Sequence, residues 1–168
     1  LLTSLEWTDP AAADENLDHL TDYPQLLALG LPPGVSQCIH LRTLKLTARG
    51  FTNKAIHHLS MLSQLEELDV SYSSIDDEGL EQLSRIRPPV RLQILFLEGC
   101  AVTDRGLNWL AGLPLRWLHL GHTRITDDGL ECLLSLPELQ EVQGLNSTSV
   151  TAEARQRLCR QIPHLRCA

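Results

Sequence analysis

The residues best suited to chemistry are three possible metal ligands near the C-terminal end, Cys159, His164 and Cys167. Thiolate and imidazole groups are the usual ligands of structural zinc, but such sites close with four ligands at characteristic spacings. Only three ligands are present, and their spacing is not that of a zinc finger or ribbon. The sequence therefore predicts no metal centre, and places these residues at a helix end and on a terminal strand.

Cys100, close to Asp104, is a candidate nucleophile, and His57 and His58 form an adjacent histidine pair. The repeat described below buries Cys100, and a buried thiol with no cationic neighbour behaves as a small hydrophobic group. The two adjacent histidines cannot share one helix face, as residues four apart would. No glycine-rich phosphate loop follows a predicted strand, because the recurring glycines fall inside helix starts. We therefore expect neither enzyme activity nor a cofactor.

A repeated phrase of eleven residues dominates the sequence. It reads VSYSSIDDEGL at 70–80, LEGCAVTDRGL at 97–107 and LGHTRITDDGL at 120–130. Near-copies at short intervals indicate one supersecondary unit stacked on itself. Each unit opens on Leu-x-x-Leu-x-Leu or a close variant, with first leucines at Leu2, Leu26, Leu41, Leu65, Leu92, Leu115, Leu139 and Leu165. The steps between them are 24, 15, 24, 27, 23, 24 and 26 residues.

Each unit predicts a strand followed by a helix. Leu118 and Leu120 alternate with Trp117 and His119, as in a strand with one buried face. The leucines at 130, 133 and 136 form one apolar stripe, which predicts a helix packed behind the strand. The residues with helix N-cap character are Thr52, Asp76, Thr103, Thr126 and Thr151.

Two units depart from the period of about 24 residues. The 15-residue unit that begins at Leu26 has LPPGVSQC in place of its helix, because consecutive prolines cannot continue one. Its strand is still expected to lie between those of its neighbours. The 27-residue unit carries the extra segment RIRPPVRL, which is either a tolerated loop or a rim loop that contacts a partner.

The phrases at 97–107 and 120–130 resemble the cysteine-containing, ribonuclease-inhibitor-like leucine-rich repeats of F-box/LRR proteins. Cys100 stands at the cysteine position of that pattern, where other units have Ser73 or Thr123. The resemblance implies an α/β fold: a leucine-rich repeat solenoid, or horseshoe, with a parallel sheet on the concave face and helices or turns on the convex face. We expect residues 1–168 to form a single domain of about seven repeats. The start LLTSLEWTDP, without an initiator methionine, suggests a fragment of a longer protein.

Composition limits the possible partners. The chain has 14 basic and 21 acidic residues and a net charge of -7, which argues against binding to nucleic acid or an anionic membrane. No apolar run approaches the roughly 20 residues that span a bilayer. The five cysteines are an odd number scattered through the repeats, which favours a reducing intracellular location in cytoplasm, nucleus or an organelle interior.

The strand register predicts a candidate binding surface. The residues before and after the second leucine of each unit should form two ladders across the concave face. The first ladder is Ser4, Ala28, Thr43, Glu67, Ile94, Trp117 and Glu141. The second ladder is Glu6, Gly30, Lys45, Asp69, Phe96, His119 and Gln143. The chain has only two Phe and three Trp, yet one of each falls on neighbouring rungs here. Acidic residues flank this apolar centre, as in a protein-binding hot spot. The predicted partner-binding residues are Glu67, Asp69, Ile94, Phe96, Glu98, Trp117, His119, Glu141 and Gln143. Alternatively, the aromatic rings only pack across strands or lie under a further segment.

These observations favour a protein–protein interaction module or scaffold that binds a partner through its concave face. Two alternatives follow from the resemblance: the substrate-recognition part of an F-box-type ubiquitin ligase, or a stoichiometric enzyme inhibitor. The acidic rim predicts a partner with a basic or mixed apolar and basic surface.

Overall fold

Stacked parallel strands form the backbone of the protein. The computed structural model describes residues 4–7, 42–47, 49–59, 62, 64–86, 91–162 and 164–167. Within these residues one seven-stranded sheet runs in chain order from β1 to β7 with every neighbouring pair parallel. The strands are β1 Ser4–Trp7, β2 Thr43–Leu46, β3 Glu67–Asp69, β4 Ile94–Phe96, β5 Trp117–His119, β6 Glu141–Gln143 and β7 Arg166–Cys167.

Helical segments return the chain from one strand to the next and cover the other side of the sheet. The α-helices of the described residues are α1 Asn53–His58, α2 Asp77–Arg85, α3 Asp104–Asn108 and α4 Ala152–Gln161. Two 3-10 helices also occur: Asp128–Ser135 takes the place of an α-helix in its rung, and Leu145–Ser147 precedes α4 in the next rung. The sheet is the concave face of the resulting solenoid and the helices form the convex face.

A column of apolar side chains behind the sheet holds the rungs together. Its members stand in register on successive strands and are fully buried: Leu44, Leu68, Leu95, Leu118 and Val142. The predicted register from β2 to β6 is therefore confirmed, and the alternate residues of these strands are only partly buried.

The predicted place of the unit at Leu26 is wrong. Strand β1 pairs directly with β2, with Glu6 beside Lys45, so no strand lies between them. The two ladder positions predicted there, Ala28 and Gly30, lie outside the described residues. The physical reason is length, because 15 residues fall short of the roughly 20 that a complete leucine-rich rung needs.

The segment after β5 is a 3-10 helix rather than the predicted α-helix, and it begins at Asp128 rather than next to Thr126. Its leucines at 130, 133 and 136 are buried as predicted. Their spacing of three suits a 3-10 helix, which has about three residues per turn and aligns such residues in one line. The N-cap prediction is confirmed at the other four positions, where the side-chain oxygen accepts a backbone N–H: Thr52, Asp76, Thr103 and Thr151.

The repeated Thr-Asp-x-Gly sequence connects adjacent rungs on the convex side. In three consecutive rungs, an aspartate accepts hydrogen bonds from both the backbone N–H and the hydroxyl of the threonine in the next rung. The pairs, with these two distances, are Asp77 with Thr103 at 2.8 and 2.6 Å, Asp104 with Thr126 at 2.8 and 2.6 Å, and Asp127 with Thr151 at 2.7 and 2.8 Å. The glycine makes room for this contact, since an added Cβ at Gly129 would collide with the Asp104 carboxylate. We call this series of contacts the Asp–Thr ladder.

Candidate functional site

The predicted site residues lie together on the concave face in two rows that cross the strands. The first row places Glu67, Ile94, Trp117 and Glu141 side by side on β3, β4, β5 and β6. The second row, two residues further along each strand, contains Asp69, Phe96, His119 and Gln143. The ninth predicted residue, Glu98, follows β4 and contacts the second row. The structure thus brings all nine together as an apolar centre between acidic strands.

The rings of the apolar centre pack against one another. The Phe96 and Trp117 ring centroids are 4.4 Å apart with the planes inclined at 57°. His119 lies 6.0 Å from Trp117 and 6.4 Å from Phe96, and its Nδ1 accepts the backbone N–H of Gly121 at 3.3 Å. These contacts fix the rings in one arrangement and leave them only partly buried.

Glu98 links the aromatic centre to a tyrosine that the sequence analysis did not select. The Tyr72 hydroxyl donates to a Glu98 carboxylate oxygen at 2.5 Å, and the other oxygen lies 4.0 Å from Nδ1 of His119. The hydrogen bond to Glu98 raises the pKa of Tyr72, with smaller contributions from desolvation and from the Glu98 charge. Tyr72 is half exposed and has a left-handed φ of 59° in the turn after β3. Its position beyond the strand kept it out of the predicted ladders.

Glu141 is held as a carboxylate at the other end of the first row. The Gln143 side-chain amide and the Trp117 indole both donate to it, and these hydrogen bonds lower its pKa. Partial desolvation opposes the shift, and the charge of Arg166, which lies beside Glu141 on β7, adds to it. The Trp117 ring is only partly buried and remains available for contact.

A groove of 380 Å³ follows the first row. Five predicted site residues line it: Glu67, Ile94, Phe96, Trp117 and Glu141. Three residues that the sequence analysis missed, Gln93, Arg116 and Gln140, complete the lining. If the alternation of the strands continued, these three side chains would point into the core. Each residue instead lies just before a strand of three residues, where the alternation does not apply. The Arg116 Nε lies 3.1 Å from a carboxylate oxygen of Glu138.

The candidate nucleophile Cys100 is a packing residue. It is 2% exposed, and its Sγ lies 3.1 Å from the Val70 carbonyl oxygen and 3.7 Å from the Ser73 hydroxyl. Burial is the main cause of the raised pKa of this thiol, and hydrogen bonds from Ser73 oppose it. The thiol is therefore protonated near neutral pH and a poor nucleophile.

The candidate metal ligands lie on three separate elements. Cys159 lies on α4, His164 is exposed in the turn that follows, and Cys167 belongs to β7. In the described part of the chain, no three His, Cys, Asp or Glu side chains are grouped as metal ligands would be. None of the helices described there has the length and apolar character needed to cross a bilayer.

Comparison with known proteins identifies the class of fold. A family model described as Leucine Rich repeat matches residues 63–84 and 114–134. An internalin from Listeria monocytogenes has a similar structure, with a TM-score of 0.54 and 20% identity over 77% of this chain and 35% of its own. A leucine-rich repeat protein from Leptospira interrogans gives a TM-score of 0.51 and 21% identity over 82% of this chain and 33% of its own. The chain carries leucine-rich repeats and folds as a leucine-rich repeat solenoid.

The chain spans about a third of the length of these two structures, with 35% and 33% of each covered. A search of curated proteins found no match. At identities of 20% and 21%, the structural similarity shows a shared fold and does not identify a binding partner.

Proposed function

We propose that the protein is an interaction module that binds a partner protein on its concave face, with Phe96 and Trp117 at the centre of the contact. The observation that carries the proposal is the partly exposed aromatic pair, with centroids 4.4 Å apart, between acidic strands. A preorganised aromatic centre with a polar rim is the usual arrangement of an energetic hot spot, because little side-chain entropy is lost on binding.

The rim predicts the charge of the partner. Glu67 and Asp69 flank the aromatic centre on β3, Glu141 flanks it on β6, and Glu98 lies next to His119. The whole chain has a net charge of -7, so its field adds to that of the rim. A basic or mixed apolar and basic surface is complementary to this face and would be drawn to it electrostatically.

We also propose that the protein works in a reducing, intracellular compartment. Among the described residues, Cys100 and Cys132 carry free thiols. Free thiols of this number are typical of chains that are not exposed to an oxidising environment.

Site-directed photocrosslinking tests the concave face directly. Benzoylphenylalanine would replace Phe96 in one variant and Leu134 in a control variant, because Leu134 is 41% exposed on the convex side. In extract from the source organism, irradiation should give a discrete crosslinked protein from position 96, and an excess of the unlabelled parent chain should suppress it. A Trp117→Ala change in the position 96 variant should also reduce the yield. The same product from position 134, or a product unaffected by the parent chain, would contradict the proposal.

A further inference from the structure

We infer that the groove along the first row binds an extended segment of the partner that carries basic, apolar and basic side chains at every second residue. The inference rests on the proposed function and adds the chemistry and conformation of the bound segment. In its simplest form the segment reads Lys/Arg-x-Φ-x-Lys/Arg, where Φ is an aromatic or aliphatic residue. Three features of the groove support it: the positions of its carboxylates, the spacing of its strands and the charge of its lining.

The groove has a carboxylate at each end and an apolar centre. Glu67 and Glu141 occupy the two ends of the first row, with Ile94 and Trp117 between them and Phe96 on one side. The four strands of the row are separated by three strand spacings of about 4.8 Å, so the two ends are about 14 Å apart. Cationic groups on a bound segment must span this distance, and an apolar group must lie about halfway.

An extended chain matches this spacing. Side chains at i, i+2 and i+4 of a strand point to the same side and are about 6.7 Å apart, so the outer two span about 13 Å. An α-helix rises about 1.5 Å per residue with 3.6 residues per turn, so residues nine or ten apart span the groove but point to different sides. The groove therefore favours an extended segment that lies along the row and across the strands.

The charge of both ends remains available to a cation. Glu67 accepts a hydrogen bond from the Thr43 hydroxyl at 3.5 Å, and Glu141 accepts from the Gln143 amide and the Trp117 indole. All of these donors are neutral, so they orient the carboxylates without cancelling their charge. Arg166 stands next to Glu141 on β7, whereas Thr43 stands next to Glu67. The Glu67 end should consequently contribute more to the attraction of a cation.

The other residues that line the groove can form hydrogen bonds with the backbone of the bound segment. Gln93 and Gln140 present side-chain amides that both donate and accept hydrogen bonds. An extended segment has no internal hydrogen bonds, so such groups offset the cost of removing its peptide groups from water. Arg116, on the same wall, has Glu138 as an ion-pair partner at 3.1 Å and adds little net positive charge.

Peptide selection tests both the composition and the spacing. A library of random nonapeptides would be selected on the 168-residue chain, and the enriched sequences compared with those from the Glu67→Gln, Glu141→Gln double variant. Sequences with basic residues four apart and an apolar residue midway should be enriched on the parent and lost on the double variant. Enrichment of basic residues at other spacings, or of peptides without basic residues, would overturn the inference.

Fluorescence anisotropy with synthetic peptides would then give the size of the effect. The core Lys-Thr-Phe-Thr-Lys should bind at least about tenfold more tightly than the rearranged core Lys-Lys-Phe-Thr-Thr, which has the same charge and composition. Glu67→Gln should weaken binding about fivefold to tenfold and Glu141→Gln somewhat less, in keeping with an ion pair in a partly dry groove. Glu131→Gln is the matched control, because Glu131 is exposed on the convex side, and it should leave affinity unchanged.

The two proposals can fail separately. If both cores bind equally, or Glu131→Gln weakens binding as much as Glu67→Gln, the spacing inference is wrong and the attraction is nonspecific. Crosslinking of a partner from position 96 would in that case still support the concave face as the binding surface. If the partner is captured from the convex position instead, the proposed function fails, whatever the peptides do.

Discussion

At the scale of single residues, the two phenylalanines of the chain separate core from surface. Phe51 is fully buried, whereas Phe96 is partly exposed and packs mainly on Trp117. Phe51→Ala should lower the free energy of unfolding by about 3–5 kcal/mol, because it leaves a cavity in the core. Phe96→Ala should lower it by only about 0.5–1.5 kcal/mol, the worth of an aromatic pair. Urea unfolding of both variants measures the difference, and equal losses would show that Phe96 belongs to the core.

The thiols provide a second residue-scale prediction. Cys100 is buried with a raised pKa, while Cys132 and Cys159 are partly exposed. In the native protein at pH 8, iodoacetamide should therefore modify the more accessible Cys132 before Cys100, which should stay unmodified until the protein unfolds. Peptide mass mapping of timed samples measures each rate, with a urea-unfolded sample as the control. Rapid native modification of Cys100, or a disulfide at this residue, would contradict its role as a packing residue.

At the scale of elements, the Asp–Thr ladder joins neighbouring rungs on the convex side, and two of its threonines, Thr103 and Thr151, also cap the helices that follow them. Asp104→Ala removes the acceptor of two hydrogen bonds from Thr126 and should lower the free energy of unfolding by about 2 kcal/mol. The neighbouring rung offers a control: Asp128 is exposed in the first turn of its 3-10 helix, and Asp128→Ala should cost about 0.5 kcal/mol at most. Thermal and urea unfolding of the two variants test this, and similar losses would mean that the ladder adds no stability.

The ladder also predicts an acid dependence of stability. The two hydrogen bonds from Thr151 lower the pKa of Asp127. A carboxyl whose pKa is lower in the folded state stabilises the fold above its unfolded pKa of about 3.9, and this contribution is lost as the pH falls through the folded pKa. Asp127→Asn cannot be protonated in this range, so its unfolding free energy should change less between pH 5 and pH 3 than that of the parent. Parallel curves for the two proteins would contradict the contribution of Asp127.

The sequence predicts those parts of the elements that depend on periodicity. The spacing of the leucines in Leu-x-x-Leu-x-Leu gives the register of β2 to β6, because a shift of one residue would turn every leucine out of the core. The hydrogen bonds of the Asp–Thr ladder could not be predicted from this periodicity, because they depend on how far each rung is displaced relative to the next. For the same reason the contact of Trp117 with Glu141 and the inclusion of Arg116 in the groove become visible only in three dimensions.

At the scale of the whole molecule, the stabilising core and the proposed binding surface lie on opposite sides of the sheet. The buried leucines and the Asp–Thr ladder lie behind the sheet or on its convex side, while the two rows face the concave side. The side chains of the rows are only partly buried, so replacing them removes little packing from the core. Substitutions in the rows should therefore alter binding with small effects on the melting temperature.

The net charge of -7 should affect how fast the proposed partner associates with the protein. Charges at the rim act mainly before contact, by steering a basic partner, whereas buried aromatic groups act after it. Glu67→Lys should thus slow association about tenfold at 50 mM salt, and less at 500 mM, where the Debye length falls to about 4 Å. Phe96→Ala should instead speed dissociation, since most affinity changes within one interface reside in that rate. Glu131→Lys makes the same change in net charge on the convex side, so surface plasmon resonance of the three variants separates steering by the rim from the effect of total charge. An association rate that Glu131→Lys lowers as much as Glu67→Lys would show that the rim has no special part in the encounter.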